Sequence, residues 1–158
     1  MQEVLLGCSK RIKIKRFVIN ENNEQREEEK IVTIYISSGT PTGYKFTYPC
    51  EGDRKPGRIP ADIIFIVTDK PDSVFTRSGC DLIYVEKLSK NEAAEGGTFR
   101  IPTLTFRKTH LLTIKKSIEN DFQVKIPGKG LPKFFNPKER GNIIVKFEVV
   151  SLGNGKFF

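Results

Sequence analysis

Apolar residues in this chain recur with a period of two, block after block, and that alternation leaves room for little besides β-strands. The blocks are Ile12 and Ile14; Val32, Ile34 and Ile36; Phe46 and Tyr48; Ile63 to Val67; Leu82 and Tyr84; Leu111 and Ile114; Val124 and Ile126; and Ile143 to Val145 with Phe147 and Val149. Each is short, rich in β-branched and aromatic types, and bounded by Gly, Pro, Asn or Asp, which is the pattern of half-buried strands between turns. Helix is confined to two short candidates, Glu3 to Leu6 and Lys90 to Glu95. Each runs into a glycine, Gly7 or Gly96, placed as a C-terminal stop. The charged run Asn20 to Lys30 reads as a solvated hairpin tip or loop. The fold class is all-β.

The chain also repeats itself. Glu3-x-x-x-Gly7-x-x-x-x-Ile12 returns as Glu92-x-x-x-Gly96-x-x-x-x-Ile101 at the same internal spacing. Later in each half a glycine, Gly52 or Gly130, precedes a proline-containing loop and then Asp62-Ile63-Ile64 or Asn142-Ile143-Ile144. The predicted architecture is two tandem, similar β-sandwich or barrel-like subdomains, 1–78 and 79–158, each with one short helix. Pro60 to Tyr84 is the joint, with its hinge near Thr76 to Cys80. Units this small have marginal cores, so mutual support is expected.

Several function classes are disfavoured. The longest uninterrupted apolar run, Ile63 to Val67, falls far short of the ~20 residues of a membrane helix. The first residues lack the basic and apolar regions of a signal peptide, so the expected compartment is the cytoplasm, with the nucleus open. Cys8, Cys50 and Cys80 are odd in number and widely spaced, which suits neither a disulfide framework nor a zinc site. No nucleophile elbow, phosphate loop or metal set is present, and the only histidine, His110, sits in an alternating segment. Gly128-x-Gly130 lacks the strand–turn–helix context of a dinucleotide site and reads as a turn. Asp62 and Asp81 open strands, where turn capping is the commoner role. No catalytic residue, metal or cofactor is expected. The net charge of +8, with +2 in residues 1–78 and +6 in 79–158, suits an acidic peptide partner. It also keeps open an alternative reading, a basic β-rich module that binds nucleic acid.

An ordered set of motifs then resembles a known family. The pieces are Leu6-Gly7-Cys8-Ser9-Lys10-Arg11-Ile12-Lys13-Ile14; Gly39, Gly43 and Tyr44-Lys45-Phe46; Pro60-Ala61-Asp62-Ile63-Ile64-Phe65; Phe75-Thr76-Arg77 leading to Asp81-Leu82-Ile83-Tyr84; Pro102-Thr103-Leu104; Pro127-Gly128-Lys129-Gly130-Leu131-Pro132; and Arg140-Gly141-Asn142-Ile143-Ile144-Val145. Together they resemble the C-terminal substrate-binding region of a DnaJ-type, 40-kDa heat-shock co-chaperone of the class without the zinc-finger insert. The chain departs from that pattern at Thr40 after Gly39 and at Thr105-Phe106 after Pro-Thr-Leu. The family's J-domain with its His-Pro-Asp motif, its Gly/Phe-rich linker and the strand before the first short helix are not found in this sequence, so a fragment is expected.

The resemblance implies partners and a site. The first subdomain takes an extended client segment, or the acidic EEVD tail of the ATP-driven 70-kDa heat-shock chaperone, as an added strand. By position, Lys10 to Arg16 is the receiving edge. Ile12, Ile14 and Phe75 are implied for the peptide pocket, and Lys10 and Lys13 for the carboxylates of the tail. Taken alone, Ile12, Ile14 and Phe75 read as ordinary core and Lys13 as a solvated lysine. A membrane is not an expected partner. The family's homodimer forms through a C-terminal helix, which is not visible before Phe158.

Overall fold

The computed structural model describes residues 1–105 and 108–151. Phe106 and the tail ending at Phe158 lie outside the described residues. The chain is all-β. Its strands are β1 (Cys8–Ile19), β2 (Gln25–Ile36), β3 (Lys45–Tyr48), β4 (Ile63–Ile66), β5 (Thr76–Ser78), β6 (Asp81–Leu88), β7 (Gly97–Pro102), β8 (Thr109–Ile114), β9 (Gln123–Ile126), β10 (Pro132–Lys133), β11 (Asn136–Arg140) and β12 (Ile143–Val149). The two helices are α1 (Gln2–Leu6) and α2 (Lys90–Glu95).

β1 and β2 form one long antiparallel hairpin, in register from Cys8 opposite Ile36 to Ile19 opposite Gln25. Its turn is tied by Asn20, whose Oδ1 accepts from the backbone of Asn22 and Glu24. The charged run expected as a tip or loop is a loop only to Glu24; Gln25 to Lys30 are strand. Facing charges explain the difference. Lys13 reaches Glu29 at 2.8 Å and Lys15 reaches Glu27 at 3.8 Å, so opposite-sign residues pair across the ladder. The inner face buries Ile14, Val32 and Ile34, with Ile12, Ile36, Phe46, Tyr48, Ile63 and Phe65 packed around them. The last four belong to the β3–β4 pair, which closes over the hairpin like the second layer of a small sandwich. Arg16 ends the inner face. Burial opposes its charge, yet hydrogen bonds to Glu28 and Glu51 outweigh that and leave its pKa raised.

The second core is larger. A four-stranded sheet runs β5-β6-β12-β9, with β12 parallel to β6 and antiparallel to β9. Leu82, Leu131, Ile143 and Val145 are wholly excluded from solvent in this core. β7 and β8 pair beside it, and α2 is held by a capping box of Ser89 and Glu92.

The two halves correspond in detail. In each, a short helix ends at a glycine of positive φ, Gly7 at 75° and Gly96 at 73°. A Cβ on Gly7 would stand 2.9 Å from the carbonyl of Ile36, and one on Gly96 2.4 Å from that of Ile114, so each glycine lets helix and hairpin end meet. Gly52 N–H donates to Ala61 and Gly130 N–H to Gly141, just before β4 and β12. One difference matters: β12 pairs on both sides, whereas among the described residues β4 pairs with β3 alone.

The joint divides unevenly. β5 pairs with β6, and Phe75 lies in the larger core. Arg77 spans the seam, donating to the carbonyls of Thr40 and Gly79 and pairing with Asp69 at 3.0 Å. Across the same seam Gly39 presses on Pro132; a Cβ there would stand 2.3 Å from its carbonyl oxygen.

Candidate functional site

A shallow cavity of about 240 Å3 opens between the inner face of the β1–β2 hairpin and the end of β4. Lys10 and Ile12 of β1, Ile34 and Ile36 of β2, Phe46 of β3 and Phe65 of β4 line it. Strand alternation puts these side chains on one side, because β1 shows its even-numbered residues to the interior and β2 and β3 do the same. Beside the cavity the outer edge of β1 is free of a partner strand from Cys8 to Arg16 among the described residues. Further on, Arg54 and Asp53 close that edge, taking up the backbone of Phe17 and Ile19.

The expected site residues separate into three places. Ile12 lines the cavity, while Ile14, beneath it, belongs to the buried core at 9% exposure. Lys10 stands at the cavity mouth with its ammonium hydrogen-bonded to Glu3, which raises the pKa of Lys10 and lowers that of Glu3. Lys13 lies on the opposite face of the hairpin, bonded to Glu29, whose carboxyl is thereby held below its usual range. Phe75 is brought to none of these. It is 6% exposed in the larger core, with the Tyr84 ring 6.3 Å away. Asp72 pins it by accepting from the backbone N–H of Phe75 and Val74, and those bonds lower the Asp72 pKa.

α1 separates the two regions. Glu3 borders both a cavity shared with Lys10, Ile36 and Val67 and another shared with Phe75 and Leu104. Sequence reasoning missed Ile34, Ile36, Phe46 and Phe65 as groove walls. The signal was present in their alternation, but which strands face one another is a tertiary fact. It missed Glu3 as the partner of Lys10 as well, since the contact depends on how α1 folds back across β1.

This fold and site define a class: an all-β chain with two hydrophobic cores and, among the described residues, a strand edge without a partner beside an apolar groove, a geometry to which an extended polypeptide can add as a strand. The residues at 1–151 match the family described as the DnaJ C terminal domain, and the chain belongs to that family. It is 38% identical to DnaJ protein homolog 1 of Drosophila melanogaster over 94% of this chain and 44% of that protein. To DnaJ homolog subfamily B member 5 of Homo sapiens it is 39% identical over 94% of this chain and 43% of that protein. To subfamily B member 13 of Homo sapiens it is 33% identical, covering 47% of that protein. The chain therefore spans less than half the length of these relatives.

Among the described residues no helix is long and apolar enough to cross a membrane.

Proposed function

We propose that this chain is the polypeptide-binding part of a co-chaperone. It takes unfolded client segments, and the acidic EEVD tail of the ATP-driven 70-kDa heat-shock chaperone, as a strand added along β1. The observation that carries the reading is the Cys8–Arg16 edge, without a partner strand among the described residues, lying beside a groove walled by Ile12, Ile34, Phe46 and Phe65. An added strand presents successive side chains to opposite faces. Lys10 and Lys13 stand three residues apart on opposite faces of β1, so tail carboxylates three positions apart meet one lysine each. Glu3 and Glu29 are the carboxylates they displace. The groove accepts one aliphatic anchor.

Such binding is weak. Four main-chain hydrogen bonds contribute about 1 kcal/mol each, and one buried Leu-sized anchor roughly 1.5–3 kcal/mol. Ordering the peptide costs several kcal/mol. The gains total about 5.5–7 kcal/mol before that cost, short of the roughly 8 kcal/mol of a micromolar complex, so the net affinity is weaker than micromolar. A weak holder releases quickly, which suits delivery of a client to a second chaperone.

The test is titration of a labelled peptide ending in Glu-Glu-Val-Asp against the same peptide with a carboxamide end. Saturable binding of the free acid, weakened by Ile12→Asp, is expected. Equal affinity of the two peptides, or no effect of Ile12→Asp, refutes the proposal.

A further inference from the structure

We propose that a second polypeptide site lies at the seam between the two β units, and that it takes an acidic segment carrying adjacent aromatic side chains. A cavity of about 750 Å3 opens there, within the range of pockets that enclose a ligand. Pro41 and Tyr44 wall it from the first unit, and Phe134 and Phe135 from the second.

The phenylalanines are out of place as folding residues. They are the two-residue connection between β10 and β11, a position where glycine and asparagine usually serve the backbone. Phe135 is 95% exposed. The rings continue one another: Tyr44 to Phe134 at 5.1 Å, then Phe134 to Phe135 at 5.0 Å. Both contacts are tilted, at 61° and 64° between planes, so ring edges and faces alternate around the cavity. That arrangement offers T-shaped partners to incoming aromatic side chains. It offers no flat platform of the kind on which successive bases stack.

The charge around the cavity selects the acidic partner. The carboxylates here are already engaged, Asp69 by Arg77 and Thr42, and Glu139 by Lys133. Lys138, two residues beyond the lining residue Asn136 and on the same face of β11, is exposed and adds positive charge beside the cavity. An aromatic pair flanked by glutamates matches this surface in both respects. The site stands apart from the β1 groove and does not rest on that reading.

The experiment uses a fluorescent, amide-ended peptide with two adjacent phenylalanines flanked by Glu and Asp, followed by anisotropy at low and high salt. Phe135→Ala, a change at an exposed position that leaves both cores intact, is expected to weaken binding about tenfold. Replacing the acidic flanks by Gln and Asn is expected to weaken it several-fold at low salt and little at high salt. Ile12→Asp is expected to leave it within about twofold. Four results overturn the proposal: no saturable binding at low salt; loss with Ile12→Asp but not with Phe135→Ala, which places the peptide in the groove; displacement of the peptide by a single-stranded oligonucleotide, which makes the site one for nucleic acid; or a dimer in sedimentation that Phe135→Ala converts to monomer, which makes the occupant a second copy of this chain.

Discussion

Replacing Ile34 by alanine is expected to unfold the groove without unfolding the molecule. The small core of the β1–β4 unit rests on three buried side chains, Ile14, Val32 and Ile34, and Ile34 is 3% exposed. Cutting Ile to Ala at such a site costs about 2–5 kcal/mol. A unit of this size holds roughly 0.05–0.15 kcal/mol per residue, so about half its stability goes. A loss of about 3 kcal/mol lowers amide protection roughly a hundredfold. Hydrogen exchange followed by mass spectrometry, peptide by peptide, reads this directly. β1 to β4 should lose protection, while β6, β9 and β12, built on the larger core, keep it. α1 is the discriminating element. It adjoins β1 in sequence, yet Met1, Val4 and Leu5 pack against the larger core, so its protection should follow β12. The mirror variant Leu82→Ala should lower β6, β9, β12 and α1 together. An equal fall in every strand with Ile34→Ala would refute the argument, because it would mean that the seam makes one cooperative unit.

The tail-binding geometry predicts that Lys10→Gln and Lys13→Gln each weaken an acid-ended peptide several-fold at low salt and leave a neutral peptide unchanged, as read by titration; a neutral peptide weakened equally would count against the paired-lysine reading. Glu3→Gln and Glu29→Gln should tighten the acidic peptide, since each removes a competing carboxylate; an unchanged dissociation constant would sink that idea. Asp72 has its pKa lowered from 3.8, so its contribution to stability is complete above about that pH and is lost as pH falls through the lower folded value. Asp72→Asn should therefore flatten the stability profile below pH ~4 in chemical denaturation, and an unaltered acid limb would contradict it. Gly96→Ala should cost at least about 1–3 kcal/mol through its positive φ alone, before the clash with the Ile114 carbonyl is counted, and a melting temperature like that of the parent would refute this.

What the sequence disclosed and what it withheld divide along a physical line. Period-two alternation is local, so eight of the twelve strands among the described residues were legible, with the helix over Lys90–Glu95 and the paired glycines at 7 and 96, while β5, β7, β10 and β11 were not among the expected blocks. Gln25 to Lys30 escaped because charged residues become strand only when an opposite strand supplies the counter-charge, and a one-dimensional reading does not see the opposite strand. Phe75 shows the same limit more sharply. By position it looked like part of the groove, but the local bonds from Asp72 turn its backbone and send the ring into the larger core beside Tyr84. Its influence on a bound peptide must then pass through α1, whose Glu3 borders both the Phe75 cavity and the one that Lys10 shares. An effect of Phe75→Ala on peptide affinity accompanied by lost α1 protection would be positional; the same effect with α1 protection intact would place the ring at the peptide after all.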